Sequence, residues 1–108
     1  MERRIQVSNM PRASSIDASA VQNRIEKYYD KLAKRVPGGL AMDVHFKEGH
    51  IAGKGEDRKE QIEAYVKVVV AGGSNVFHAK HVEWDAIKAV RGAMEAIEKE
   101  SMKALKKN

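Results

Sequence analysis

Lys80-His81-Val82-Glu83-Trp84-Asp85-Ala86-Ile87 is the stretch on which the fold turns, because two periodicities meet inside it. Before it, Val76 to His81 reads as a strand; Phe77 and Ala79 are expected to face inward and His78 and Lys80 outward, since burying two residues capable of positive charge would be costly. After it, Ile87, Val90, Met94, Ile97, Ser101 and Leu105 recur at three-four spacing, the mark of a helix with one apolar stripe. That helix is expected to begin near Glu83 and run past Met102. Glu83 and Asp85 in its first turn and lysines in its last suit the helix dipole.

Working outward, Gln61 to Val70 alternates, with Ile62, Ala64, Val66, Val68 and Val70 on one face, and Ala71-Gly72-Gly73-Ser74-Asn75 supplies the turn of a hairpin with the strand at Val76. Leu40, Met42, Val44 and Phe46 alternate with Ala41, Asp43, His45 and Lys47 as a further strand. Between them, Glu48 to Glu60 has neither period and one large apolar side chain, Ile51, so a mobile loop over 48–60 is expected. Arg4 to Asn9 reads as a short strand with Ile5 and Val7 on one face. A helix capped by Asp17 or Ser19 follows and runs to about Val36, where Pro37-Gly38-Gly39 stops it. The order β-α-β-β-β-α implies an α+β two-layer sandwich: a four-stranded sheet with two helices on one face, as in double-stranded-RNA-binding domains.

The chain has 108 residues, which suits one domain, 1–108, with one modest core. The absence of cysteine removes disulfides, thiolate metal sites and cysteine nucleophiles. The start, Met1-Glu2-Arg3-Arg4-Ile5, lacks the apolar run of a signal peptide, and no stretch approaches a membrane span, so a cytoplasmic protein without a membrane partner is expected.

Twenty Lys and Arg against fifteen Asp and Glu give a formal net charge of +5. Residues 1–40 hold eight basic and four acidic side chains, so the excess lies mostly around the first helix. On that helix Val21, Ile25, Tyr29, Leu32 and Val36 form the apolar stripe, while Arg24, Lys27, Lys31, Lys34 and Arg35 gather within roughly one third of the circumference. Glu26 and Asp30 fall on the other flank. A merely solvated helix mixes its signs for i to i+4 pairing; this one segregates them. On the second helix Lys88, Arg91, Lys99, Lys103 and Lys106 line the side opposite the stripe, interrupted by Glu95. Two near-parallel rows of cations match a phosphate backbone, and the ordinary alternative is a lysine-rich solvated surface.

Other chemistry finds less support. His78 and His81 have H-x-x-H spacing, but at a strand end they point in different directions and no further ligand joins them, so no metal or other cofactor is expected. Gly53-Lys54-Gly55 and Gly72-Gly73-Ser74 lack phosphate-loop spacing, and no nucleophile motif or small-molecule site is legible. Tyr28, Tyr29 and Trp84 read as packing residues rather than base-stacking platforms. Nothing points to an enzyme.

The element order, Lys31-Leu32-Ala33-Lys34 behind the Val21 and Ile25 stripe, and the run from Lys80 through Ala86-Ile87 into a basic helix resemble the ribosome hibernation-promoting factor family, which includes the ribosome-associated inhibitors. The resemblance spans nearly the whole chain and is to the short type, without the additional C-terminal domain of long members or the acidic tail of the inhibitor type. It implies binding to the small ribosomal subunit, in the channel of messenger and transfer RNA, so that idle ribosomes are held inactive under stress. The residues it would place on ribosomal RNA are Arg24, Lys27, Lys31, Lys34 and Arg35 on the first helix and Lys88, Arg91, Lys99 and Lys103 on the second, with Lys80 and His81 just ahead of it. Trp84 stands where many members have tyrosine, and Pro11 to Ile16 and Glu48 to Glu60 are longer connections than the family's.

Two other readings remain open. A double-stranded-RNA-binding domain begins with a helix and has a lysine cluster where this chain has Glu83 and Asp85. A basic structural or protein-interaction domain would have no nucleic-acid role. Because both apolar stripes are used against the chain's own sheet, the free protein is expected to be a monomer.

Overall fold

The computed structural model describes residues 3–10, 18–36, 38–53, 59–71 and 75–105. Six elements follow in the order β1 (Ile5–Ser8), α1 (Ala18–Ala33), β2 (Leu40–Ala52), β3 (Lys59–Val70), β4 (Val76–Glu83) and α2 (Ala86–Leu105). The strands form one sheet in the order β1-β2-β3-β4. β1 lies parallel to β2, whereas β2–β3 and β3–β4 are antiparallel hairpins. This is the expected α+β two-layer sandwich.

Alternation decides which face is covered. Leu40, Met42, Val44 and Phe46 on β2, Ile62, Ala64, Val66, Val68 and Val70 on β3, and Phe77 on β4 are all buried, with Ala79 partly so, as their period requires. Val21, Ile25, Tyr29 and Leu32 of α1 close over them, with Val36 just beyond the helix. Ile25 is completely buried, and its truncation to alanine would cost about 2–5 kcal/mol. The α2 stripe is wider than the large residues alone suggest. Ala86, Ala89 and Ala93 are buried beside Val90, Met94 and Ile97, whereas Ile87 is only partly covered. Small side chains there bring the helix backbone close to its neighbours.

Tyr29 stitches the layers together. Its hydroxyl donates to the Leu40 carbonyl at 2.9 Å and accepts from the Arg4 amide at 3.2 Å, so one buried side chain joins α1 to β2 and to the start of β1.

Four expectations need correction. The segment from Glu48 to Glu60 is largely strand: β2 continues to Ala52 and β3 begins at Lys59, with Glu48 opposite Ile62, Ile51 opposite Glu60, and a register shift between Glu48 and Ile51. Backbone pairing with a neighbouring strand holds a segment extended without an apolar period, and the shift breaks what period there is. Residues 54–58 lie outside the described residues.

The second helix starts at Ala86 rather than near Glu83, which ends β4. Asp85 is its cap, its Oδ1 accepting from the amides of Ile87 at 2.7 Å and Lys88 at 3.2 Å. At the other helix, Ser19 is the second residue of α1 rather than its cap, and Asp17 lies outside the described residues. Trp84 is 46% exposed at the bend between β4 and α2, so it is not a packing anchor. Past Ala33 the chain turns through Gly38 and Gly39, both at φ +89°, a conformation that side chains rarely adopt.

Candidate nucleic-acid interface

With Val21, Ile25, Tyr29 and Leu32 turned to the sheet, helical geometry leaves Arg24, Lys27 and Lys31 exposed on α1, and Lys34 and Arg35 exposed in the turn behind it. On α2 the same rule exposes Lys88, Arg91, Lys99 and Lys103. Lys106 lies outside the described residues. β1 and β4 both run parallel to β2, so the helices that follow them run in the same direction and set their rows side by side.

The seam between the rows is not purely cationic. Lys31 Nζ reaches Glu98 Oε2 across it at 3.3 Å. Glu98 keeps only 15% of its side-chain surface exposed, and its other oxygen is buried with no hydrogen-bond partner among the described residues. Tyr28 is half-buried in the same seam, where burial first, and then the charges of Glu95 and Glu98, push its phenol above the usual tyrosine value. Arg91 pairs with Glu95 along α2 at 3.4 Å. Arg24, Lys27, Lys34, Arg35, Lys88, Lys99 and Lys103 have no ion-pair partner among the described residues. These seven are the cations that a polyanion would neutralise.

The acidic flank of α1 is tied down separately. Arg3 binds Asp30 through two parallel hydrogen bonds of 2.9 Å and reaches Glu26 at 3.7 Å. The bond from Arg3 holds the Asp30 carboxyl below its ordinary value. This clamp engages both carboxylates from the β1 side of α1, although Asp30 also feels the charge of Lys34 one turn on.

Lys80 and His81 do not join the helix rows as a pair. Lys80 points from the opposite, open face of the sheet, where its Nζ lies 5.8 Å from the centre of the Tyr65 ring. His81 is on the helix side, but its ring packs against Gly92 of α2 and its Nε2 lies 2.9 Å from Glu83 Oε2. Alternation along β4 separates the two neighbours, as it does any consecutive strand residues.

Arg3, Tyr28 and Glu98 were not legible as parts of this surface. The signal for the last two was present: Arg24, Tyr28 and Lys31 on α1 and Arg91, Glu95 and Glu98 on α2 share the i, i+4, i+7 spacing of a helix edge. That the edges meet depends on helix packing.

Among the described residues no three His, Asp or Glu side chains gather as a metal site, and no helix is long and apolar enough to cross a membrane. The fold and the paired cationic helices define a β-α-β-β-β-α sandwich with one charged helical face and one open sheet face. The same fold occurs in the crystal structure of the N-terminal domain of Protein Y from Thermus thermophilus, which is similar to this chain with a TM-score of 0.62 and 18% identity over 93% of this chain and 94% of that one. No family model matches the sequence, and no curated protein matches it.

Proposed function

We propose that this chain is a ribosome hibernation factor, a cytoplasmic monomer that binds the small ribosomal subunit through ribosomal RNA and blocks the channel for messenger and transfer RNA in idle, stressed ribosomes. The observation that carries this reading is the set of unpaired cations on α1 and α2, presented on a sandwich similar in fold to the Protein Y domain. Phosphates laid along the two helices would each displace a counterion, giving affinity without base sequence. The rigid sheet beneath fixes the spacing of the rows, which suits a folded RNA of fixed shape better than a flexible polyanion. No cofactor or bond-making step enters this reading.

Competition tests it. Transfer RNA and messenger bound to purified small subunits should be displaced by the protein and should displace it in turn. Simultaneous full occupancy by all three would rule out the channel.

A further inference from the structure

The sheet face that the helices leave uncovered carries a pattern of its own. Strand register places His45, Tyr65 and Lys80 side by side across β2, β3 and β4, and Asp43, Lys67 and His78 in the adjacent row. These six line a shallow depression of about 350 Å³. A second depression, of about 380 Å³, shares Asp43 and Lys67 with it and extends to Arg4 and Gln6 at the β1 edge.

The central ring, Tyr65, lies between a cation and a second ring. Lys80 Nζ lies 5.8 Å from the Tyr65 centroid on one side, and the His45 ring lies at 6.1 Å and 55° on the other. The Tyr65 hydroxyl donates to Glu63 at 2.6 Å, which steadies the ring and occupies that carboxylate. Lys67 and Lys80 are exposed and have no ion-pair partner among the described residues. Flat aromatic surface interleaved with unpaired cations is the chemistry that binds bases by stacking and phosphates by charge. Val66 and Ala79 form the floor of the depression, but their side chains belong to the core on the helix side, so the side chains that rise from the centre of the face are the six polar and aromatic ones.

We propose that this open sheet face is a second nucleic-acid surface, which takes a short single-stranded RNA segment with bases stacked on Tyr65 and phosphates on Lys67 and Lys80. It lies on the opposite side of the sheet from the helix rows, so the protein contacts two RNA elements at once. Lys80 thereby belongs to an RNA surface other than the one its place in the sequence suggests.

Titration of the isotope-labelled full chain with octauridylate, read by amide NMR shifts, should move His45, Tyr65, Lys67, His78 and Lys80 more than any residue of α1 or α2. In anisotropy with the labelled oligonucleotide, Tyr65→Ala should weaken binding about fivefold or more. Lys67→Ser with Lys80→Ser should weaken it and lower the salt slope by about one to two units. The charge-matched Lys27→Ala, Lys34→Ala protein should change it less than about twofold, although it loses small-subunit binding; the two surfaces thus succeed or fail separately. Shifts confined to the helices, stronger binding to duplex than to single strands, or unchanged affinity in the Lys67, Lys80 variant would each overturn the proposal. That last variant decides the matter if Tyr65→Ala proves misfolded by circular dichroism.

Discussion

Lys31 of α1 and Glu98 of α2 meet across the helix seam at 3.3 Å, so the middle of the cationic face contains a carboxylate that both joins the helices and subtracts charge. An ion pair this exposed on the lysine side contributes about 0–1 kcal/mol. Glu98→Gln should therefore change stability by less than about 1 kcal/mol while releasing Lys31. Small-subunit binding should tighten, with a steeper salt dependence. Denaturant titration and sedimentation at several salt concentrations check the two halves.

Gly92 sits within α2, where glycine costs about 1 kcal/mol relative to alanine. Its place is explained by His81: a Cβ on residue 92 would clash with the imidazole ring. Gly92→Ala should destabilise the fold by about 1–3 kcal/mol despite the gain in helix propensity. Adding His81→Ala to that variant should recover much of the loss. Equal stability of Gly92→Ala and wild type in chemical denaturation would show that the ring moves aside freely.

Tyr29→Phe removes a buried hydroxyl that donates to the Leu40 carbonyl and accepts from the Arg4 amide. The ring's apolar packing is retained, so the loss should be about 1–3 kcal/mol, the range for leaving buried partners unsatisfied. Amide exchange should quicken first at Arg4, whose N–H loses its acceptor.

Arg3 holds the Asp30 carboxyl below its ordinary value of 3.8. A carboxyl with a lowered folded value stabilises the fold fully above its unfolded value, and that stabilisation is lost as the pH falls through the lowered one. Thermal unfolding of wild type and Asp30→Asn should therefore differ at neutral pH and converge under acid. Both side chains are 46% exposed, so high salt should also shrink the difference. A difference that grows on acidification would contradict the assignment.

Where one periodicity governed, the chain was readable. The alternating runs at Leu40 to Phe46 and Ile62 to Val70 fix the buried sheet face, and the stripe from Val21 to Leu32 fixes which side of α1 is free to hold Arg24, Lys27 and Lys31. The two-residue period also placed Phe77 and Ala79 inward. What was illegible depended on partners distant in sequence. The extended β2–β3 hairpin rests on cross-strand bonds that Glu48 to Glu60 do not advertise, and the Arg3 clamp joins residues 27 apart. Lys80 and His81 are adjacent in the chain, yet the pleat sends them to opposite faces, so membership in one surface could not be read from proximity.

The central claim rests on cations that have no ion-pair partner among the described residues, and it is tested most directly by reversing two of them. Lys27→Glu with Lys34→Glu is the suitable pair: both are exposed, neither has an ion-pair partner among the described residues, and Glu98 does not confound the result as it would at Lys31. Co-sedimentation with purified small subunits across a salt series, with folding checked by circular dichroism, should show binding lost or reduced by about tenfold or more, and the dependence on salt flattened. Equal binding by the folded variant and wild type at every salt concentration would contradict the account.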